Sequence, residues 1–186
     1  MNYYIDFDNT IFDTVSFHND LIKILLDNKI EESYINDYYE KNGINPINLV
    51  NSLCNEVITE KVDKLFKKAK NYLYKDAIEF LKNKSFNNYI LYTYGDIDYQ
   101  NKKIDNCGIL EYFDEIIITD DIKTNIKLDY KNGIFIDDNT KVIKDLLDKG
   151  VNKIYRIKRS NNIHSDEVLN DDRIIEIYSM KDINYN

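Results

Sequence analysis

The chain has 186 residues, long for one compact domain and short for two independent ones. Apolar residues make up 43%, enough for a core, while 33 Asp plus Glu against 25 Lys plus Arg leave a net charge of −8. That balance gives no long-range attraction for a nucleic-acid polymer or an anionic membrane, and neither is an expected partner. No apolar run approaches the ~18 residues of a membrane span, and no basic segment precedes an apolar stretch at the start. The sequence therefore reads as that of a soluble, cytoplasmic protein without an export signal.

In chain order, the first element is "NYYID" (2–6), a short apolar run that continues into "FDNTIFD". It places Asp6 and Asp8 one residue apart, where like charges repel unless a cation or a proton intervenes. The next strand-like run, "NYILYT" (88–93), comes more than 80 residues later, far more than a crossover needs. Most of the interval reads as helices: "SFHNDLIKILLDN", "EESYINDYYEKNG", "INLVNSLCNEVI" and "TEKVDKLFKKAKNYLY", the sole proline, Pro46, separating two of them. We expect a helical cap over 15–72, inserted into a core made of 1–14 and 73–186. The basic "KVDKLFKKAK" reads as the solvated face of an amphipathic helix.

Further runs at 115–119, 133–137, 153–157 and 173–179 alternate with amphipathic segments such as "KDAIEFLKN" (75–83) and "TKVIKDLLDKG" (140–150), the latter stopped by Gly150. Strands alternating with helices predict an α/β fold, a Rossmann-like parallel sheet covered on both faces. Cys54 and Cys107 form no CxxC pair and are expected to be buried small apolar groups; His18 and His164 lack metal-type spacing and are expected at the surface or as caps.

Open parallel sheets bind ligands beyond the carboxyl ends of their strands, so the residues ending each run carry the information. They are Asp6 with Asp8, then Thr93, then a lysine shortly after Thr119, then Asp137 with Asp138. Of two lysines ahead of "IFIDD", Lys123 lies just past the third run, and Lys127 would fall within a short helix following it. Spacing favours Lys123 over Lys127. This set suits phosphoryl transfer through an aspartyl-enzyme. Mg²⁺ would take oxygen ligands from Asp6, the Asp8 backbone and Asp138. One carboxylate attacks phosphorus, a second exchanges a proton with the leaving alcohol and the water, and threonine and lysine hold the phosphoryl oxygens.

"DFDNT" after a strand, "ILYTYGD", a downstream lysine and "IFIDDN" together resemble the haloacid dehalogenase superfamily, over nearly the whole chain and in the expected order. "YTYGD" with "YQNKKIDNCGILEYFDEIII" is also similar to a linker common in its phosphatases. The resemblance implies Asp6 as nucleophile, Asp8 as general acid/base, Thr10 as loop support, Thr93 and Lys123 as phosphate-binding groups, and Asp138 as a Mg²⁺ ligand assisted by Asp137. Asp8 favours phosphate chemistry, since the superfamily's dehalogenases usually lack that second aspartate. A cap over the site favours a small phosphorylated metabolite, a nucleotide or sugar phosphate, with a nucleotidase slightly ahead by resemblance alone.

Competing classes are a response-regulator receiver, whose acidic pair follows the first strand and which has no inserted cap, and a glycosyltransferase, whose DxD needs neither Thr93 nor a second acidic pair. A non-catalytic, phosphate-binding descendant of the same fold is the remaining alternative.

Overall fold

The structure, a computed structural model, describes residues 1–84, 87–162, 164 and 166–183. All six expected runs are strands: β1 (Asn2–Ile5), β2 (Asn88–Tyr94), β3 (Glu115–Thr119), β4 (Ile134–Asp137), β5 (Lys153–Ile157) and β6 (Ile174–Ile177). They form one sheet of order β3-β2-β1-β4-β5-β6 with every pair parallel. β1 is central, with Ile5 in register with Leu91 on one side and Ile136 on the other.

Side chains alternate across the strands, so the sheet has two buried faces. Tyr3, Ile5, Tyr89, Leu91, Tyr155 and Ile157 feed the larger core. Tyr4, Ile90, Tyr92, Phe135 and Ile154 feed the smaller one. Helices α1 (Thr14–Asp27), α2 (Glu32–Asn42), α3 (Pro46–Ser52), α4 (Glu56–Phe66), α5 (Lys75–Lys82) and α6 (Ile97–Cys107) contribute to the first, and α7 (Thr140–Asp148) to the second. Phe17 of α1 meets Phe66 of α4 edge to face at 5.3 Å. Phe12 lies 5.3 Å from Phe17, so the apolar residues between β1 and β2 join the core beneath the sheet. Truncating a buried ring of this kind to alanine costs about 3–5 kcal/mol.

Chain enters and leaves this helical insert through one antiparallel contact, Phe12 opposite Leu73. It is flanked by Asp13 N–H donating to Tyr72 O at 2.8 Å and Tyr74 N–H donating to Ile11 O at 2.9 Å. No helix among the described residues is long and apolar enough to cross a membrane.

Three local expectations are corrected. "INLVNSLCNEVI" does not form one helix: Asn55 turns its side chain to the Ile58 N–H and caps a new helix, ending α3 and starting α4. Polar side chains that satisfy backbone donors locally favour such breaks. Cys54 sits in that break at φ 48° and is exposed, whereas Cys107 is buried as expected. Between β3 and β4 there is only a 3-10 turn, Lys123–Asn125, in place of a helix, so Lys127 lies in exposed coil. Ile126, Leu128 and Tyr130 of that coil cover the second face instead, with Tyr130 stacked on Phe135 at 5.8 Å. The coil then passes so close to the sheet that a Cβ at Gly133 would lie 2.7 Å from the Tyr4 ring.

Candidate active site

β1 and β4 are neighbours, so their ends meet although more than a hundred residues separate them. Asp6, just past β1, donates its N–H to Ile136 O at 2.9 Å, which sets it beside Asp137 and Asp138. All three aspartates are buried, and one carboxylate oxygen from each lies within 4.8 Å of the others. Helix capping does not consume the acidic pair: Asn139 caps α7, and Asp137 Oδ1 accepts the Asn139 N–H at 2.9 Å.

Lys123 emerges from the turn after β3 and is 4% exposed. Its Nζ lies 2.7 Å from Asp6 Oδ1 and 2.7 Å from Asp137 Oδ2, and 4.9 Å from the centre of the Tyr92 ring. The Tyr92 hydroxyl donates to the Lys123 carbonyl and fixes the turn. Lys127 does not reach this cluster. Asp138 accepts from the Asn162 amide and, at 3.5 Å, from the Thr10 hydroxyl. Arg159 braces the same loop from behind: it donates to Thr10 O at 2.8 Å and to both Asp76 oxygens at 3.1 and 2.9 Å. Thr93, near the end of β2, is buried, with its hydroxyl 3.4 Å from the Gln100 amide.

Three carboxylates facing one ammonium leave an uncompensated negative charge in a buried place. Burial pushes the Asp6 carboxyl well above its usual range, aided by Asp137 and Asp138 and opposed by Lys123. Burial and Asp137 likewise push Asp138 up, to about 7, against the Asn162 hydrogen bond and Lys123. Burial alone would weaken the Lys123 proton, but Asp137 and Asp6 outweigh it and keep the ammonium charged. A site that strains to hold its carboxylates ionised calls for protons or a cation. An all-oxygen donor set of this charge fits a hard divalent ion such as Mg²⁺.

Asp8 has a different environment. Its Oδ1 accepts from the Thr14 hydroxyl and from Lys103, and its Oδ2 accepts from the Gln100 amide at 2.6 Å. Burial pushes this carboxyl up, but Lys103, by charge and hydrogen bond, with Thr14 and Gln100, holds it below its ordinary value. The carboxylate form is favoured, the form that takes a proton from water.

Lys103 and Gln100 were not among the sequence candidates. Both lie on the buried stripe of α6, which continues through Ile104 and Cys107, four and seven residues after Gln100. A lysine on an apolar stripe is the available signal, but it becomes readable only once the helix and its phase are known. Gly95 makes room for this arrangement: at φ 146° it turns the chain from β2 into α6, and a Cβ there would fall 2.9 Å from Gln100 Nε2. Asp13 and Asp96 are helix caps, accepting from the N–H groups of Ser16 and Tyr99. Asp121 accepts the Ile122 N–H in the turn after β3.

No protein-family profile and no curated protein matches the sequence, but solved structures do match the fold. A protein assigned as a haloacid dehalogenase-like hydrolase from Burkholderia xenovorans superposes with a TM-score of 0.67 at 11% identity, covering 97% of this chain and 93% of that one. The Bacillus subtilis protein YfnB, assigned as a HAD hydrolase and solved with magnesium bound, gives 0.61 at 15% identity over 97% and 95%. L-2-haloacid dehalogenase from Xanthobacter autotrophicus gives 0.53 at 12% over 88% and 79%. The chain has the haloacid dehalogenase-like fold.

Proposed function

We propose that the chain is a Mg²⁺-dependent hydrolase of small phosphomonoesters that works through a phospho-aspartyl intermediate. The observation that carries this reading is the meeting of Asp6, Asp137 and Asp138, with oxygens within 4.8 Å, around the Lys123 ammonium. Asp6 Oδ attacks phosphorus as the bond to the leaving alcohol breaks. Asp8, a carboxylate at rest, takes up a proton when the negative charge of the phosphomonoester arrives beside it and gives that proton to the leaving oxygen. Asp8 then takes a proton from water, the water oxygen attacks phosphorus, and the acyl phosphate opens to return Asp6 and inorganic phosphate. Lys123 and the Thr93 hydroxyl hold phosphoryl oxygens as charge spreads over them. Mg²⁺ would be held by Asp6, Asp138 and the Asp8 backbone, with Asp137 assisting, and supplies positive charge to the phosphoryl group when bound.

The substrate class is a soluble phosphorylated metabolite rather than a polymer, a nucleotide or sugar phosphate, in a cytoplasmic setting. A nucleotidase is favoured only by the family resemblance. A second reading, phosphate binding without turnover, draws on the engagement of both Asp8 oxygens. Phosphate release from a panel of phosphorylated metabolites separates the two. We expect turnover that needs Mg²⁺, stops with EDTA, and falls about 10⁴-fold or more in Asp6→Asn with the fold retained. Silence across the panel with Mg²⁺ present would favour the binding protein, and an active Asp6→Asn would remove the nucleophile.

A further inference from the structure

Lys103 is 1% exposed, and among the described residues Asp8 is its one carboxylate partner. Its Nζ lies 4.7 Å from the ring centre of Tyr99, 5.3 Å from that of Phe7 and 5.6 Å from that of Phe12. A cationic group walled by ring faces and closed by one carboxylate has little room to move and nothing else of opposite charge to meet. Asp8, in contrast, has donors on both oxygens: Thr14 and Lys103 on Oδ1, Gln100 on Oδ2. Three donors fix where the carboxyl stands, and for it to turn toward a reacting oxygen one of these contacts has to open.

The three donors differ in what release costs them. Gln100 Nε2 keeps Tyr94 O at 2.7 Å and Thr93 Oγ1 at 3.4 Å when Asp8 departs. Thr14 begins α1 and is only part-buried, so its hydroxyl can turn to water. Lys103 would be left as a bare charge among aromatic rings, the most costly of the three. Oδ1 is therefore the anchored oxygen and Oδ2 the one that comes free.

We propose that Lys103 is a positioning residue that pins Asp8 through Oδ1, leaving Oδ2, released by Gln100, as the oxygen that faces the reacting group. This rests on the phosphatase reading above. Lys103 never touches substrate; it acts by fixing where the Asp8 carboxyl stands, and small misplacements of such a group cost about 10²-fold in rate.

The test is a double-mutant cycle of Lys103→Met and Asp8→Asn, with Lys103→Arg as the conservative variant, assayed on para-nitrophenyl phosphate with Mg²⁺ and by thermal unfolding. Methionine suits the ring-lined pocket, so Lys103→Met should fold. It should lower kcat by about 10- to 100-fold with KM changed less than about 2-fold, and Lys103→Arg should recover part of the loss. In the Asp8→Asn background Lys103→Met should do nothing further to kcat. Asp8→Asn should lower Tm in the wild-type chain yet raise it in Lys103→Met, where the carboxylate has lost its cation. A change confined to KM, or a kcat loss that adds to that of Asp8→Asn, would overturn the proposal. A wild-type chain that releases no nitrophenol counts against the phosphatase reading instead. The unfolding arm needs no substrate and still decides the anchor: coupling in Tm supports it and additivity removes it.

Discussion

The chain buries two lysines at the carboxyl edge of its sheet, and they occupy opposite electrostatic situations. Lys123 meets two carboxylates in a cluster of three, all buried. Lys103 meets one carboxylate, whose side chain is still 25% exposed, and is otherwise surrounded by rings. The first neighbourhood has more negative charge than it can hold in a low dielectric, and the second is balanced. An unbalanced cluster is poised to take up a cation, whereas a balanced pair is poised to hold a side chain still.

The largest difference should appear on removing each ammonium in turn. Lys123→Met leaves three buried carboxylates with no compensating charge and should destabilise the metal-free protein by about 3–5 kcal/mol in chemical denaturation. Lys103→Met leaves Asp8 with Thr14 and Gln100 as donors and partial access to water, so its cost should be about 1 kcal/mol or less. Equal losses would mean that the two sites are electrostatically alike and the contrast is wrong.

Metal sharpens the same contrast. Mg²⁺ at about 100 times its dissociation constant should stabilise the wild-type chain by about 2.7 kcal/mol, read as an upward shift of Tm. Asp138→Asn should lose most of that shift and be more stable than wild type in EDTA, because one of three crowded carboxylates is gone. Lys103→Met should keep the shift in full. A Mg²⁺ shift that survives Asp138→Asn would place the ion elsewhere.

The two neighbourhoods also differ in how far the sequence reveals them. Asp6, Thr93, Lys123, Asp137 and Asp138 terminate or closely follow short continuous apolar runs, and the parallel-sheet rule sends all such ends to one edge. Lys123 needed one further step, a choice against Lys127 by spacing, and the reason given for Lys127 failed, since no helix forms there. Lys103 stands in "YQNKKIDNC", where four polar residues in succession leave the inward ones undecided until the phase of α6 is known. The division of "INLVNSLCNEVI" into α3 and α4 was hidden for a similar reason. Its apolar spacing continues across Asn55, and only the capping bond shows the break. Periodicity reports which face is apolar, but it does not report a side chain that competes for the backbone or a charge that pairs across 95 residues.

The smallest effect is one of sign with pH. Asp8 lies below its ordinary value because Lys103, Thr14 and Gln100 outweigh burial. Its contribution is therefore present above the unfolded value near 4 and lost as pH falls through the lower folded one. Because the side chain is partly exposed, that loss should be about 1 kcal/mol or less, and it should vanish in Asp8→Asn. Asp138 runs the other way: raised to about 7 by burial and Asp137, it stabilises fully below about pH 4 and loses that contribution as pH rises toward 7. Asp6 is shifted in the same direction. Metal-free protein should thus be most stable on the acidic side of neutrality, falling away on both sides for different reasons. Mg²⁺ replaces the protons of the crowded cluster and should flatten only the loss between about pH 4 and 7, leaving the acid limb untouched. An acid limb that responds to Mg²⁺, or a neutral limb that does not, would show that the two clusters titrate as one.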